Sequence, residues 1–254
     1  MSAISDTILR LKDELPSDVE LVAVSKFHPV DAIVEAYDAG QRVFGESRPQ
    51  ELHAKILSLQ EMASGNPGRF SDIEWHFIGH LQTNKLKLVL PYVSLVESVD
   101  SLHLLQAIDR WGEANDRIKD VLLEYHIASE SSKQGFSREE ILSLLCPDLQ
   151  DTICSGSTVA ASGQYEGRCY PHVRIRGLMG MATFTGDEAV VRADFARLMS
   201  LYDEIIALRD AGHCHEVGED FNIRSFGMTH DYRIAVSMGA DMVRIGTLIF
   251  GERS

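Results

Sequence analysis

Short apolar segments alternate with amphipathic helical segments eight times along this chain of 254 residues. The first, Leu21 to Val24, is an unbroken apolar run, which is typical of a strand buried on both faces. Further strands are predicted at residues 42–45, 74–78, 92–96, 121–128, 173–179, 222–226 and 242–245. Because strands that alternate with helices form a parallel sheet, eight such units predict a closed (β/α)8 TIM barrel. A doubly wound open sheet is the alternative, disfavoured because no glycine-rich dinucleotide fingerprint follows a strand.

Helical periods fill the intervals between these strands. Helices are predicted at residues 1–14, 29–39, 49–62, 82–90, 101–115, 137–145 and 187–211, with helical segments after the last two strands. Residues 148–172 interrupt the alternation, because they are rich in serine, glycine and small polar residues and follow no sustained period. We therefore expect one domain over residues 1–254, with an additional N-terminal helix and a surface insertion at about 148–172.

The charge balance of the chain limits the classes of partner that it is expected to bind. The 24 Lys and Arg residues stand against 38 Asp and Glu residues, a net charge of −14, whereas nucleic acids and anionic membranes reward basic patches. No run approaches the ~18 apolar residues of a membrane span, and the charged N-terminus lacks the apolar core of a signal peptide. We expect a soluble, cytoplasmic monomer with a small-molecule ligand and neither nucleic acid nor membrane as a partner.

The four cysteines have no C-x-x-C pair and no metal-like spacing. Cys146, Cys154, Cys169 and Cys214 are expected to be free thiols in a reducing compartment, because nothing in the sequence supports secretion. A pair between Cys154 and Cys169 is the alternative for a secreted chain.

Lys26 ends the first strand segment, which is an unusual position for a charge. A buried ammonium is costly unless something compensates it. A desolvated lysine loses its proton readily and becomes a nucleophilic amine that forms Schiff bases. The alternative is a lysine whose stem covers the strand end while its head reaches water. This stretch alone favours the second interpretation, and the rest of the chain reverses that preference.

The loops after the last two strands are suited to binding an anion. In a (β/α)8 barrel, sites lie at the carboxyl ends of the strands, and the loops after strands seven and eight commonly hold phosphate. Those loops contain Gly227-Met228-Thr229 and Gly246-Thr247, each ahead of a helical segment. Glycine lets the backbone approach an anion, and a helix N-terminus offers unpaired N–H groups. Taken alone, such residues are more often ordinary turns and caps.

Closure of the barrel decides between these interpretations. It makes strand eight the neighbour of strand one, which brings Lys26 to the same mouth as Gly246 and Thr247. Arg244, a permanent cation inside a buried strand, lies two residues before Gly246. A phosphate cradle, a buried arginine and an amine nucleophile together describe a pyridoxal phosphate site, in which an arginine can face the pyridine nitrogen.

Seven distinctive motifs span nearly the whole chain: Ala23–Lys26 (AVSK), Gly40–Glu46 (GQRVFGE), Ile73–Lys85 (IEWHFIGHLQTNK), Ser132–Phe136 (SKQGF), Arg176–Met179 (RGLM), Gly227–Thr229 (GMT) and Met242–Gly251 (MVRIGTLIFG). In these motifs the sequence resembles the pyridoxal phosphate homeostasis proteins, relatives of the N-terminal barrel of alanine racemase. Ser47 and Arg48 depart from the asparagine and tyrosine of most members, and Thr229 from the serine of many.

The resemblance implies which residues bind the cofactor, pyridoxal 5'-phosphate. The predicted set is Lys26 as the Schiff-base lysine, Ser225, Thr229, Gly246 and Thr247 around the phosphate, Arg244 at the ring nitrogen, and Met228, His80 and Ser47 as further contacts. His76 is interpreted as structural. We predict no metal site, because His213, His215 and Glu216 lie in a polar loop after a helix-ending glycine.

The same resemblance implies a role in keeping the cofactor available and controlled, with transient contacts to pyridoxal phosphate enzymes, rather than a catalytic cycle. An amino-acid racemase or a related cofactor-dependent enzyme is the second hypothesis. A phosphate-sugar enzyme, in which Lys26 attacks a sugar carbonyl, is the third. Racemisation needs a second acid/base opposite the lysine, which in alanine racemase comes from a further β domain of the partner subunit. Only nine residues follow Ile245 here, so we expect no such group and no racemase turnover.

Overall fold

Eight parallel strands form a closed barrel in which each strand pairs with the next along the chain and the last pairs with the first. The computed structural model describes residues 2–66, 68–128, 134–146, 169–214 and 216–252. The strands are β1 (Glu20–Val24), β2 (Val43–Glu46), β3 (Glu74–Phe77), β4 (Leu95–Val99), β5 (Lys119–Tyr125), β6 (Val173–Gly180), β7 (Ile223–Met228) and β8 (Met242–Ile245). The predicted (β/α)8 TIM barrel is confirmed.

Helices follow the strands and cover the outside of the barrel. Those among the described residues are α1 (Ala3–Glu14), α2 (Val30–Asp38), α3 (Pro49–Met62), α4 (Leu86–Val89), α5 (Leu102–Asn115), α6 (Arg138–Leu145), α7 (Glu188–Asp210), α8 (Tyr232–Ser237) and α9 (Thr247–Phe250). Local sequence explains several of their ends. Pro49 opens α3 at the position where a missing N–H costs nothing, and Ser137 and Glu140 form a reciprocal capping box at α6.

Residues 82–94 differ from the predicted pattern. The predicted helix at 82–90 is a 3₁₀ turn, Thr83–Lys85, followed by the single helical turn α4. The predicted strand at 92–96 begins at Leu95 instead, because Tyr92 still bonds back to the Val89 carbonyl. The strand then continues through Glu97 and Ser98, whose polar side chains hid its true end from the apolar pattern.

The strands are buried on both faces, which accounts for their apolar runs. Val22 belongs to a small apolar cluster inside the barrel, while the next residue, Ala23, packs outward against the helices. The other buried members of the inner cluster are Val43, Leu95, Leu122, Met179 and Met242, one from each of five further strands. The barrel interior is therefore a packed core rather than a pore, as expected for this fold.

One prediction about the cysteines is wrong. Cys146, which follows α6, forms a disulfide with Cys214, which follows α7. The two residues are 68 positions apart in the sequence, and only packing of the two helix ends brings them together. Cys169 is free and exposed, and its proposed alternative partner, Cys154, lies outside the described residues.

Residues 148–168, which are most of the predicted insertion, also lie outside the described residues, so the insertion and the single-domain boundary stay predictions. The described end of that segment leads directly into β6, where the His172 carbonyl accepts a hydrogen bond from the Lys119 backbone N–H. Within the described part of the chain, no helix combines the length and apolar character needed to cross a bilayer.

Candidate functional site

The pairing of β1 with β8 places the two predicted halves of the site side by side. Val22 lies opposite Arg244, so the residues that follow the two strands emerge at the same mouth. Lys26, two residues beyond the end of β1, is half-buried there. A Cβ atom added to Gly246 would lie 3.1 Å from the Val24 carbonyl oxygen, so only glycine fits easily between the two loops.

The loop after β7 reaches the loop after β8. The Gly246 N–H donates to the Thr229 hydroxyl oxygen across 3.4 Å, and Thr247 beside it is exposed at the start of α9. These three residues therefore present hydroxyl and backbone groups at one place. The Met228 N–H donates instead to the Asp231 carboxylate, at 2.5 Å. Burial raises the pKa of Asp231, although this hydrogen bond opposes that effect.

Arg244 lies inside the barrel rather than at its surface, with 4% of the residue exposed. Its Nη2 donates to the Gly180 carbonyl at 3.0 Å, and its Nη1 donates to the Ser225 hydroxyl and lies 3.5 Å from Glu97 Oε2. A guanidinium has five N–H donors, more than these three acceptors within the described barrel take up. The arrangement holds Arg244 in place and leaves donors for a further acceptor.

Ser225 lies in the barrel interior, next to Arg244. Its hydroxyl is fully buried in the barrel and donates to Glu97 Oε2 at 2.6 Å. It also accepts from Arg244, so its contacts are those of a group that holds the arginine. Thr229, Gly246 and Thr247 meet at the mouth without it.

Glu97 and its partner His76 complete this interior cluster. His76 Nδ1 lies 2.8 Å from Glu97 Oε1, and both residues are buried, so the contacts of His76 are those expected of a structural residue. Burial by itself raises the pKa of a carboxyl, but the His76 hydrogen bond and the Arg244 charge outweigh it and hold the pKa of Glu97 below its usual range. The sequence analysis does not single out Glu97, because the predicted strand ends one residue before it, whereas β4 continues through it.

The opposite side of the mouth is acidic. His80 is exposed, and its Nδ1 lies 2.7 Å from Asp100 Oδ2. Ser47, directly after β2, is so close to the next loop that a Cβ on Gly79 would lie 2.3 Å from its carbonyl oxygen. On β5, burial and the Asp100 charge raise the pKa of Glu124 to about 7, against the smaller opposing effects of Arg244 and His80. Glu124, like Glu97, was missing from the predicted site.

Of the three residues weighed as metal ligands in the sequence, Glu216 accepts the Cys169 backbone N–H with its carboxylate. His213 is exposed, and His215 lies outside the described residues. No group of three or more metal-ligating side chains occurs within residues 2–66, 68–128, 134–146, 169–214 and 216–252.

Known proteins show the same fold and sequence pattern. Residues 1–254 match the alanine racemase N-terminal domain family. The pyridoxal phosphate homeostasis protein of Aquifex aeolicus is 32% identical over 238 residues, which cover 92% of this chain and 87% of that protein. The protein of that name from Escherichia coli is 34% identical, with coverage of 94% and 87%. The chain belongs to the alanine racemase N-terminal domain family.

Within that family, solved structures give the same result. PipY of Synechococcus elongatus, solved with PLP bound, is 31% identical, with a TM-score of 0.76 and coverage of 98% of this chain and 100% of PipY. An alanine racemase from Clostridium difficile shares the fold at 12% identity, with a TM-score of 0.66, and this chain covers 56% of its length. The family resemblance inferred from the motifs is therefore confirmed.

The raised pKa of Glu124 predicts how stability depends on pH. Between pH 4.5 and about 7 the folded protein keeps a proton that an unfolded glutamate has lost, so stability falls as the pH rises through this window. The total loss is about 3 kcal/mol, at about 1.4 kcal/mol for each pKa unit. Glu124→Gln should remove this pH-dependent loss of stability. Urea unfolding of the native protein and the variant, at about pH 5 and about pH 8, measures the free energy of unfolding of each.

Glu219→Gln is the matched control, because it makes the same change at an exposed position, in the segment that precedes β7. Its effect on the free energy of unfolding should be the same at both pH values. An equally pH-independent effect of Glu124→Gln would contradict the raised pKa.

Proposed function

We propose that this protein binds pyridoxal 5'-phosphate through a Schiff base on Lys26 and acts in cytoplasmic cofactor homeostasis without a catalytic cycle of its own. The observation that carries the proposal is the pairing of β1 with β8, because Lys26 follows one of these neighbouring strands and Gly246 and Thr247 follow the other. PipY, which is 31% identical, is a relative whose structure holds this cofactor. The curated relatives named for cofactor homeostasis support the biological role.

The chemistry of the residues present fits this cofactor. Gly246 leaves the backbone bare where a Cβ would crowd Val24, and the Thr229 hydroxyl beside it suits a phosphate oxygen. Arg244 offers N–H donors in the barrel, where the ring nitrogen needs a partner. When bound, the cofactor supplies an aldehyde with which a lysine amine condenses, releasing one water. Lys26 would hold the aldehyde, Thr229, Gly246 and Thr247 the phosphate, and Arg244 the ring.

The interior cluster favours binding over turnover. Arg244 is a permanent cation, and Ser225, Glu97 and the Gly180 carbonyl hold it in the barrel. A permanent positive charge at the ring nitrogen disfavours a second one there, which weakens the ring as an acceptor of electrons. We infer that His80 and Ser47 line the mouth, that the protein is a monomer, and that its contacts with cofactor-dependent enzymes are transient.

The covalent link is tested by reduction. Borohydride treatment with the cofactor present, followed by peptide mapping, should place the adduct on Lys26, because this amine lies at the mouth beside the anion-binding loops. Lys26→Ala should lose both the adduct and the visible absorption band, while Lys85→Ala should keep them. A colourless native protein would favour the phosphate-sugar enzyme. An adduct on Lys85, or on Lys133 outside the described residues, would show that the assignment of the Schiff base to Lys26 is wrong.

Phosphate recognition has its own test. Thr229→Val or Thr247→Val should weaken binding of the phosphorylated cofactor by about 1.5–3 kcal/mol, the usual worth of a hydrogen bond to a charged group. Neither substitution should change the affinity for pyridoxal, which has no phosphate and serves as the control ligand. Calorimetric titration with both ligands measures the difference. If native protein binds both ligands equally, these loops do not recognise phosphate.

The racemase alternative is tested by proton exchange. We expect the fully loaded protein to leave the α-proton of alanine unexchanged in deuterated water, since the fixed cation at Arg244 makes the ring a poor electron acceptor. Proton NMR of alanine incubated with the protein follows the exchange, with Lys26→Ala as the reference. Rapid exchange that disappears in Lys26→Ala would favour an enzyme.

A further inference from the structure

A second lysine, buried on α3, lies behind the Lys26 loop. Lys55 is 6% exposed, and its Nζ contacts three oxygens: the Ser25 carbonyl at 2.8 Å, Glu46 Oε1 at 2.6 Å and Glu51 Oε1 at 2.7 Å. An ammonium has three N–H donors and no acceptor. All three donors of Lys55 therefore have an oxygen partner inside the protein.

This cluster holds the backbone on both sides of Lys26. The Ser25 carbonyl, in the peptide group before Lys26, accepts from Lys55. The Phe27 N–H, in the peptide group after Lys26, donates to Glu51 Oε1 at 2.5 Å. The ion pair of Lys55 and Glu51 thus anchors the peptide groups on both sides of Lys26.

The turn needs this support because its backbone is strained. Phe27 has a φ of +69°, in the left-handed region that costs a side-chain-bearing residue roughly 1–2 kcal/mol. The Glu51 hydrogen bond to its N–H keeps that conformation, and the Arg48 guanidinium lies 4.3 Å from the centre of its ring. Without these contacts the backbone around Lys26 would relax toward ordinary angles.

A gain in stability by itself does not account for this cluster, because it contains buried charges. Glu46 is completely buried, its second carboxylate oxygen has no hydrogen-bond partner among the described residues, and burial raises its pKa although Lys55 lowers it. Charges taken out of water regain little net free energy from pairing, and an apolar replacement is often as stable. What such a cluster does supply is a defined geometry, which a reactive amine requires.

We infer that Lys55 is a positioning residue for Lys26: through the Ser25 carbonyl and through Glu51 it fixes the peptide groups that aim the Lys26 amine into the barrel mouth. The inference rests on the proposed function, in which that amine reacts with an aldehyde. In this inference Lys55 acts through the backbone and not through a contact with the ligand.

The test compares two buried lysines. Lys55→Met removes the cation of the cluster. Lys119→Met removes a similarly buried lysine at the start of β5, away from the mouth, whose Nζ donates to the Val93 carbonyl at 2.6 Å. Because Lys55→Met leaves carboxylates without their cation, Lys55→Met/Glu46→Gln is measured beside it, since it also removes one buried charge. Thermal melting of all four proteins shows which of them fold.

Two reactions of Lys26 serve as readouts, and they should change in opposite directions. The rate at which pyridoxal phosphate becomes trapped on Lys26 by borohydride should fall at least about tenfold in both Lys55 variants, as expected when a reacting group is misplaced. Acetylation of Lys26 by acetic anhydride, without added cofactor, should become faster as the released side chain reaches solvent. Exposed Lys87 is the internal reference. Lys119→Met should leave both rates as in the native protein.

Unchanged trapping and acetylation in the folded Lys55 variants would overturn the inference, and so would an equal slowing of trapping in Lys119→Met. A native protein that forms no adduct on Lys26 would instead refute the proposed function. In that case the acetylation rates alone still decide whether Lys55 controls the position of Lys26.

Discussion

The pairing of β1 with β8 brings residues from the two ends of the chain side by side, with Val22 opposite Arg244. No local sequence motif could do this, because the lysine and the glycine–threonine loop are separated by almost the whole chain. Closure also removes the exposed strand edges that an open sheet would present. The same hydrogen bonds thus complete the barrel and place Lys26, Gly246 and Thr247 at one mouth.

Inside the barrel, opposite charges from distant strands compensate one another. Glu97 on β4 accepts from His76 on β3 and Ser225 on β7, and Ser225 in turn accepts from Arg244 on β8. A buried pair of this kind adds little to stability, although loss of either partner is costly because it leaves a charge uncompensated. Its effect is to hold one guanidinium in a fixed position. A second cluster, around Lys55, does the same for the backbone on the outer side of β1 and β2.

The sequence predicted the parts of this structure that repeat. Eight apolar strands and their helices are readable because burial on both faces leaves a continuous apolar run, and Lys26 and Arg244 stood out as charges against that background. The predicted range of β4 lies too early in the sequence, because the polar residues Glu97 and Ser98 resemble the end of an apolar run. Glu97, Glu124 and Lys55 were overlooked for a related reason: a charged residue in a helix or strand usually faces water. Only their partners from other strands and helices show that they do not. The Cys146–Cys214 disulfide depends in the same way on packing that no spacing encodes.

The order of the strands also determines when the mouth can exist during synthesis. Lys26 is synthesised long before Gly246 and Thr247, because most of the sequence lies between them. Contacts between such distant positions form late, because the entropy of closing so long a loop opposes them. A nascent chain therefore carries Lys26 before the loop after β8 has joined it in the closed barrel. A ligand that binds only the closed barrel stabilises the folded protein by mass action. Binding of such a ligand therefore indicates that the barrel has closed.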